Sequence, residues 1–310
     1  MDALPQLTTN LEQAKKDLSA WGYCLLTDAI SPDLRRRLLD RMIEQAEMEG
    51  AAGVAYMADG HGLMRQIGSF ASNAKPVWQQ VAGLLNKGRA FVDLMMNPNL
   101  HALSTHVFRN NPFDLCSIRG LIQRKGAKDG PLHIDQILVP FVTPLPVLCN
   151  LTVTLTEYSI ANGATHVVPG SHKLRPVHMG GDPNSLPEVA LVAPPGTAIV
   201  WEGRTWHRAA ASDSDAERIG VVLVTNMFWV RQQDIYAASL HDQVYDSMTT
   251  AERNFAGFMA SGFNTIYPRF RGDRSNAIAG TPEPQTYVGE LHRQPQSHVD
   301  QTLGSHEIRK

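Results

Sequence analysis

Apolar residues along this chain follow two different periods, and the change from one to the other divides it. Leu11 to Trp21 reads as a short helix. From Pro32 to about Glu49, Leu34, Leu38, Leu39, Met42, Ile43 and Ala46 recur at intervals of three and four, the spacing of one helical face. Between these helices Gly22-Tyr23-Cys24-Leu25-Leu26 reads as a strand, and Ser31-Pro32 supplies an N-cap and a first helical position. Pro76 to about Met96 predicts another helix, with Val77, Val81, Leu84, Leu85, Phe91 and Leu94 on its apolar side. Asn97-Pro98-Asn99 should break it before a short helix through Leu103. Gly50 to Ser72, rich in Gly, Ala and Met, is expected to be a loop carrying a strand near Leu63 to Ile67.

Beyond Leu103 the pattern shortens. Leu115 to Arg124, Val147 to Glu157, Val189 to Val192, Ala198 to Trp201 and Ile219 to Trp229 are β-prone runs separated by Gly, Pro, Asn and Asp. Helices first and then a series of strands predict a mainly β fold with a helical buttress, a β-barrel or jelly roll. Gln232 to Ser247 and Thr249 to Met259 return to helical character. From about Arg271 large apolar residues become scarce, so residues 1–270 are expected to form a single domain and 271–310 an irregular C-terminal segment. No internal repeat is visible.

Composition narrows the function. With 310 residues, 43% hydrophobic, 19% charged and a formal charge of -2, the chain has the make-up of a soluble globular protein with no bias toward nucleic acid or anionic membrane. Cys24, Cys116 and Cys149 are widely spaced in apolar surroundings, which predicts buried thiols rather than a disulfide framework or a zinc knuckle. Neither a secretory signal nor an apolar run of about 20 residues is apparent, so the expected location is cytoplasmic. Self-association into a homo-oligomer is left open.

The candidate chemistry centres on Gly130-Pro131-Leu132-His133-Ile134-Asp135-Gln136. On an extended strand, side chains two apart share a face, so His133 and Asp135 can offer an imidazole nitrogen and a carboxylate oxygen to one point. Trp206-His207-Arg208, between two strand-like runs, is the best-placed third donor. Two histidines and one carboxylate form the facial triad suited to non-haem Fe(II), with positions left open for oxygen and a cosubstrate. Asn162-Gly163-Ala164 to Gly170-Ser171-His172-Lys173 reads as turn, short strand and turn. Pro195-Gly196-Thr197 is a further tight turn, and Arg218 opens a strand eleven positions after His207.

In this order and spacing, these elements resemble the phytanoyl-CoA dioxygenase family, Fe(II)- and 2-oxoglutarate-dependent oxygenases on a double-stranded β-helix (jelly roll, cupin-like). The resemblance covers most of the chain and includes Trp21-Gly22-Tyr23 through Ser31-Pro32-Asp33-Leu34. It implies iron held by His133, Asp135 and His207, with 2-oxoglutarate and O2 as cosubstrates and succinate and CO2 as products. It also implies that Arg218 takes the distal carboxylate of 2-oxoglutarate, where position and charge alone also allow an ion pair with Asp215 or Glu217. Thr165 matches a cosubstrate contact, its alternative being a turn hydroxyl bonded to backbone. Many relatives have Gln three positions before the first iron-binding His; here that residue is Gly130, and Gln123 is the expected substitute. Because Asp135 is present, oxygen chemistry is expected rather than the halogenation of relatives that lack this carboxylate.

The substrate is expected to be a small organic molecule of secondary metabolism. Met57, Met64, Ile137, Leu138, Val139, Phe141 and Val142, in segments expected to line the pocket, favour a hydrophobic one. Two alternatives remain: a cupin-like metalloenzyme that uses the same triad without 2-oxoglutarate, and a non-catalytic β-barrel binding protein.

Overall fold

The computed structural model describes residues 3–58, 66–70, 75–138, 143, 145–174 and 186–258. Strands numbered in chain order are β1 (Leu7–Thr8), β2 (Tyr23–Leu26), β3 (Ala55–Ala58), β4 (Gln66–Gly68), β5 (Trp78–Val81), β6 (Phe113–Gln123), β7 (Leu148–Thr154), β8 (His166–Val167), β9 (Val189–Ala190), β10 (Ala198–Glu202), β11 (His207–Arg208) and β12 (Arg218–Met227). Nine of them form one sheet in the order β1-β2-β10-β7-β12-β6-β5-β3-β4, and β11-β8-β9 form a second. Residues of β2, β10 and β8 share a core that includes Tyr23, Ile199, Trp201 and Val167, so the small sheet closes over the large one as in a double-stranded β-helix.

The helical buttress covers the other face of the large sheet. Helix α1 (Leu11–Trp21) is capped by Asn10, whose side chain accepts from the Glu12 and Gln13 amides. Helix α2 (Pro32–Ala52) starts where Ser31 accepts from the Leu34 amide, with Pro32 in its first turn. It ends at Gly53, whose φ of 75° places it in the left-handed region open to glycine. Asn97-Pro98-Asn99 is a start as well as a break, because Asn97 caps α4 (Pro98–Val107).

The helix expected from Pro76 to Met96 does not form. The stretch is instead β5, a 3-10 turn (Leu84–Lys87) and helix α3 (Arg89–Met95). Two glycines interrupt it, Gly83 at φ 62° and Gly88 at φ 151°. Trp78 to Val81 pairs with Gln123 to Gly120 of β6, so sheet pairing decides over helical spacing. The spacing nevertheless marks burial correctly: Val81, Leu84, Leu85, Phe91 and Leu94 all lie in the main core. Beyond β12, the expected single helix is two, α5 (Tyr236–Ser239) and α6 (Asp242–Ser247), before α7 (Thr250–Arg253) with a Thr249–Glu252 capping box. The irregular segment expected from Arg271, and parts of Gly50 to Ser72 and of Gln136 to Pro146, lie outside the described residues. All three cysteines are buried and free. Among the described residues no helix is long and apolar enough to cross a membrane.

What positions the site is the alternation of the central strands. Ile219, Val221 and Leu223 of β12, Cys149, Leu151 and Val153 of β7, and Ala198 and Val200 of β10 share a core with Leu38 and Met42 of α2 and Leu103 of α4. The intervening residues face the opposite way and line a cavity: Arg218 and Val222, Asn150 and Thr152, and Trp201. Arg119 and Leu121 of β6 and Trp78 and Gln80 of β5 continue the same wall. A bulge at Cys116 keeps β6 in phase, since Val224 pairs with Ser117 but Thr225 with Leu115. Adjacent residues on β7 should therefore respond differently to truncation. In urea denaturation, Leu151→Ala should cost about 2–5 kcal/mol of stability. Thr152→Ala, which removes one hydrogen bond to Asn150, should cost about 1 kcal/mol.

Candidate active site

His133 and His207 face each other across an isolated antiparallel bridge. The His133 amide donates to the His207 carbonyl at 3.0 Å, and the His207 amide donates to the His133 carbonyl at 2.9 Å. Asp135 does not share an extended strand with His133, as the spacing suggests; it opens a 3-10 turn, Asp135–Leu138. The turn is fastened by the Gln136 amide, which donates to the Gly203 carbonyl at 2.9 Å. The carboxylate still converges with both imidazoles: one atom from each of His133, Asp135 and His207 lies within 4.8 Å of the other two.

The hydrogen bonds around these groups decide which atoms face inward. His133 Nδ1 lies 2.9 Å from the Pro131 carbonyl, and His207 Nδ1 lies 3.0 Å from the Thr205 carbonyl. A carbonyl only accepts, so each Nδ1 carries a proton, and in the neutral ring each Nε2 then presents a lone pair. These Nε2 atoms stand 3.9 Å (His133) and 3.6 Å (His207) from Asp135 Oδ1. Oδ2 is occupied instead by Trp201 Nε1, which donates at 3.0 Å, and by Asn150 Nδ2 at 3.4 Å. Burial pushes the His207 pKa below the ordinary imidazole range against the opposing pull of Asp135, which favours the neutral, metal-binding form. Two imidazoles and one oriented carboxylate that converge in this way fit a divalent iron site.

Arg218, at the start of β12, is buried and lines the same cavity. It makes no ion pair with Asp215, which binds Lys125, or with Glu217, which binds Arg124. Its partners are neutral. Gln123 Oε1 accepts from Nε at 2.8 Å and also from Nη2; the Tyr158 hydroxyl is bonded to the guanidinium, and the Tyr158 ring centroid lies 4.7 Å from its Cζ. Desolvation lowers the Arg218 pKa and Tyr158 opposes that shift; a guanidinium stays charged nonetheless. Among the described residues, then, a buried cation faces the cavity with no carboxylate in ion-pair contact. This fits the distal carboxylate of 2-oxoglutarate.

The remaining candidates are placed as follows. Thr165 is buried and lines the cavity, and its hydroxyl is bonded to no backbone group among the described residues. Gln123 is fully buried and does not line the cavity: its amide nitrogen donates to the Ala210 carbonyl at 2.6 Å while its oxygen holds Arg218. Gly163, from the Asn162-Gly163-Ala164 turn, has φ 82°, and a Cβ on it would meet the Gln123 amide nitrogen and the Ala210 carbonyl at 2.5 Å. Gly130 lines the cavity with backbone alone. His166 lies 3.1 Å from Glu188, and His172 is buried against Gly22, both outside the three-residue cluster.

Several lining residues escaped the sequence reading. Trp201, within an apolar run by sequence, orients Asp135 through its indole; Trp206, next to His207, packs with Ile134 and Val168. Asn150, Thr152, Tyr158, Trp78, Gln80 and Arg119 share the cavity. Alternation along β7 and β6 was the available signal, since a polar side chain inside an otherwise apolar buried strand points to the inner face. Phe228 and Trp229, at the far end of β12, are exposed.

Comparison with known proteins gives the site its family. The phytanoyl-CoA dioxygenase model matches residues 20–220. The dioxygenase trt7 of Aspergillus terreus is 25% identical over 279 residues, covering 86% of this chain and 90% of that protein. The iron/alpha-ketoglutarate-dependent dioxygenase ausU of Aspergillus calidoustus is 24% identical over 261 residues, 81% of this chain and 82% of that one. Among solved structures, the non-haem alpha-ketoglutarate-dependent carbocyclase SnoK from nogalamycin biosynthesis superimposes with a TM-score of 0.58 at 20% identity, covering 74% of this chain and 90% of its own. The chain belongs to the phytanoyl-CoA dioxygenase family and is a 2-oxoglutarate-dependent non-haem iron dioxygenase.

Proposed function

We propose that this enzyme oxidises a small, largely apolar organic metabolite, with iron held by His133, Asp135 and His207 and the distal carboxylate of 2-oxoglutarate held by Arg218. The observation that carries this reading is a single cavity of about 450 Å³ that contains both the triad and the buried, carboxylate-free guanidinium. Its other walls include Trp78, Leu121, Pro131, Ala209 and Val222, which offer carbon surface, as a site for an apolar skeleton requires. The place of SnoK in nogalamycin biosynthesis supports a substrate from secondary metabolism.

When bound, the iron supplies the activation of O2; the protein supplies position and dryness. In a hydroxylation, 2-oxoglutarate loses CO2 and becomes succinate with one oxygen atom, and the substrate C–H becomes C–OH with the other. The chain's own part is to hold both histidine Nε2 atoms and Asp135 Oδ1 toward one ion and to tie Asp135 Oδ2 to Trp201 and Asn150. Arg218 fixes the far end of the cosubstrate, Gln123 and Tyr158 hold Arg218, and Thr165 adds a hydroxyl to the cosubstrate side.

The deciding experiment is succinate formation from 2-oxoglutarate under air, with and without Fe(II), across a panel of apolar metabolites. Iron-dependent succinate stimulated by one compound class is the expected result, and iron binding without 2-oxoglutarate binding would point to a cupin-like enzyme instead. His133→Ala and Asp135→Ala should abolish turnover while far-ultraviolet circular dichroism stays native; wild-type succinate from either would show the triad to be misassigned. Arg218→Ala should weaken 2-oxoglutarate binding by roughly 10- to 150-fold, the range for a hydrogen-bonded charge. An unchanged Kd in titration would refute its role. Trp201→Phe, by freeing Asp135 Oδ2, should lower Fe(II) affinity about 10- to 100-fold in a chelator competition.

A further inference from the structure

A second cation shares the cavity wall. Arg119 lies on β6, paired in register with Val222 of β12, and its side chain lines the cavity with those of Arg218 and the triad. Its Nη2 donates to Gln233 Oε1 at 2.9 Å and to Ser117 Oγ at 3.3 Å, both neutral acceptors. No carboxylate among the described residues lies within ion-pair distance of it. The Gln233 backbone N–H in turn donates to the Cys116 carbonyl at 3.0 Å, so the residue that steadies Arg119 is anchored at the bulge of β6. Nε and Nη1 of Arg119 bond to no group among the described residues, leaving donors of a planar fork for a ligand.

Charge in the cavity sharpens this. Among the described residues, the ionisable lining groups are Arg119, Arg218, Asp135, His133, His207 and Tyr158. With a divalent ion held by His133, Asp135 and His207, whose imidazoles are neutral as ligands, and a neutral phenol, these described groups sum to three positive charges. 2-Oxoglutarate brings two negative charges, and one positive charge stays uncompensated beside carbon surface from Leu121 and Val222. Arg119 is half-buried, so its charge is only partly shielded from water, and a substrate with one matching anion can pair with it.

We propose that Arg119 determines specificity by taking the carboxylate of an apolar organic-acid substrate, an inference that rests on the 2-oxoglutarate reading of the same cavity. The acid lies with its carboxylate on Arg119 and its skeleton against Leu121, Val222 and Trp78. The carbon to be oxidised then falls between this anchor and the triad. Arg119 and Arg218 thus divide the work by ligand, substrate on the first and cosubstrate on the second.

The test is calorimetric titration of the full chain loaded with redox-inert Mn(II). 2-Oxoglutarate is added first, followed by cinnamic, 2-naphthoic and 4-phenylbutanoic acids and the methyl ester of each. At least one acid should bind about tenfold or more tightly than its ester, as the loss of a charge-assisted pair predicts. In Arg119→Leu that acid should fall to the affinity of its ester, while the ester and 2-oxoglutarate each stay within about twofold of wild type. Arg119→Lys should keep part of the preference. Equal binding of acids and esters by the wild type, or binding of neither, overturns the proposal without need of any variant. A loss of 2-oxoglutarate affinity in Arg119→Leu with the acid-to-ester ratio unchanged also overturns it, by placing Arg119 on the cosubstrate. Failure of the wild type to bind 2-oxoglutarate in the first step is a different result, and it sinks the cosubstrate reading itself.

Discussion

A guanidinium buried with no carboxylate partner among the described residues is the constraint around which this barrel is arranged. Moving such a charge out of water costs several kcal/mol even after relaxation, so its surroundings must return much of that in hydrogen bonds and ring contacts. Arg218 has the Gln123 amide, the Tyr158 hydroxyl and two aromatic faces, Tyr158 at 4.7 Å and Trp78 at 5.6 Å. Residues distant in sequence serve this one charge. Pairing of Arg218 with Gln123 across β12 and β6 sets the two side chains on one face. Gly163 gives the Gln123 amide its room, and Gly220 does the same for the Tyr158 hydroxyl, which would collide with any Cβ there. All of these contacts are neutral, so the positive charge is stabilised but not cancelled, and an anion entering the cavity finds it available.

At the other end of the cavity the problem is reversed, because the proposed metal site needs lone pairs left free. Each imidazole gives its Nδ1 proton to a carbonyl two residues back along the chain, so neither ring can turn its protonated edge inward without losing that bond. Trp201 reaches Asp135 from β10 of the large sheet, while His207 lies on β11 of the small one. The site is therefore a clasp between the two sheets, and the core formed by Tyr23, Ile199, Trp201 and Val167 supports it from beside.

Much of this was legible in the sequence, for reasons that differ by element. Helices α1 and α2 announce themselves through Asn10, Ser31 and Pro32, since caps act locally. The strands after Phe113 are legible through their β-branched runs and turn residues. Pro76 to Met96 was not, because Val81, Leu84, Leu85 and Phe91 meet the core at helical spacing while the backbone of β5 is claimed by the distant strand β6. The residues of the triad could be named from His133-Ile134-Asp135 and His207, but not their geometry: convergence depends on a turn at Asp135 that the Gly203 carbonyl fastens from far along the chain. Gln123 and Arg218 each stand out in the sequence, yet the bond between them is a matter of register, which one strand cannot state alone.

The bridge between His133 and His207 has a consequence for how such enzymes diverge. Two backbone hydrogen bonds, rather than the intervening chain, set the distance between these histidines. Everything threaded between residues 134 and 206 that is not itself sheet or clasp is free to lengthen, shorten or change composition while the histidines keep their places. Natural selection working on such a scaffold can redraw the walls that greet a new molecule and inherit the oxygen chemistry unaltered.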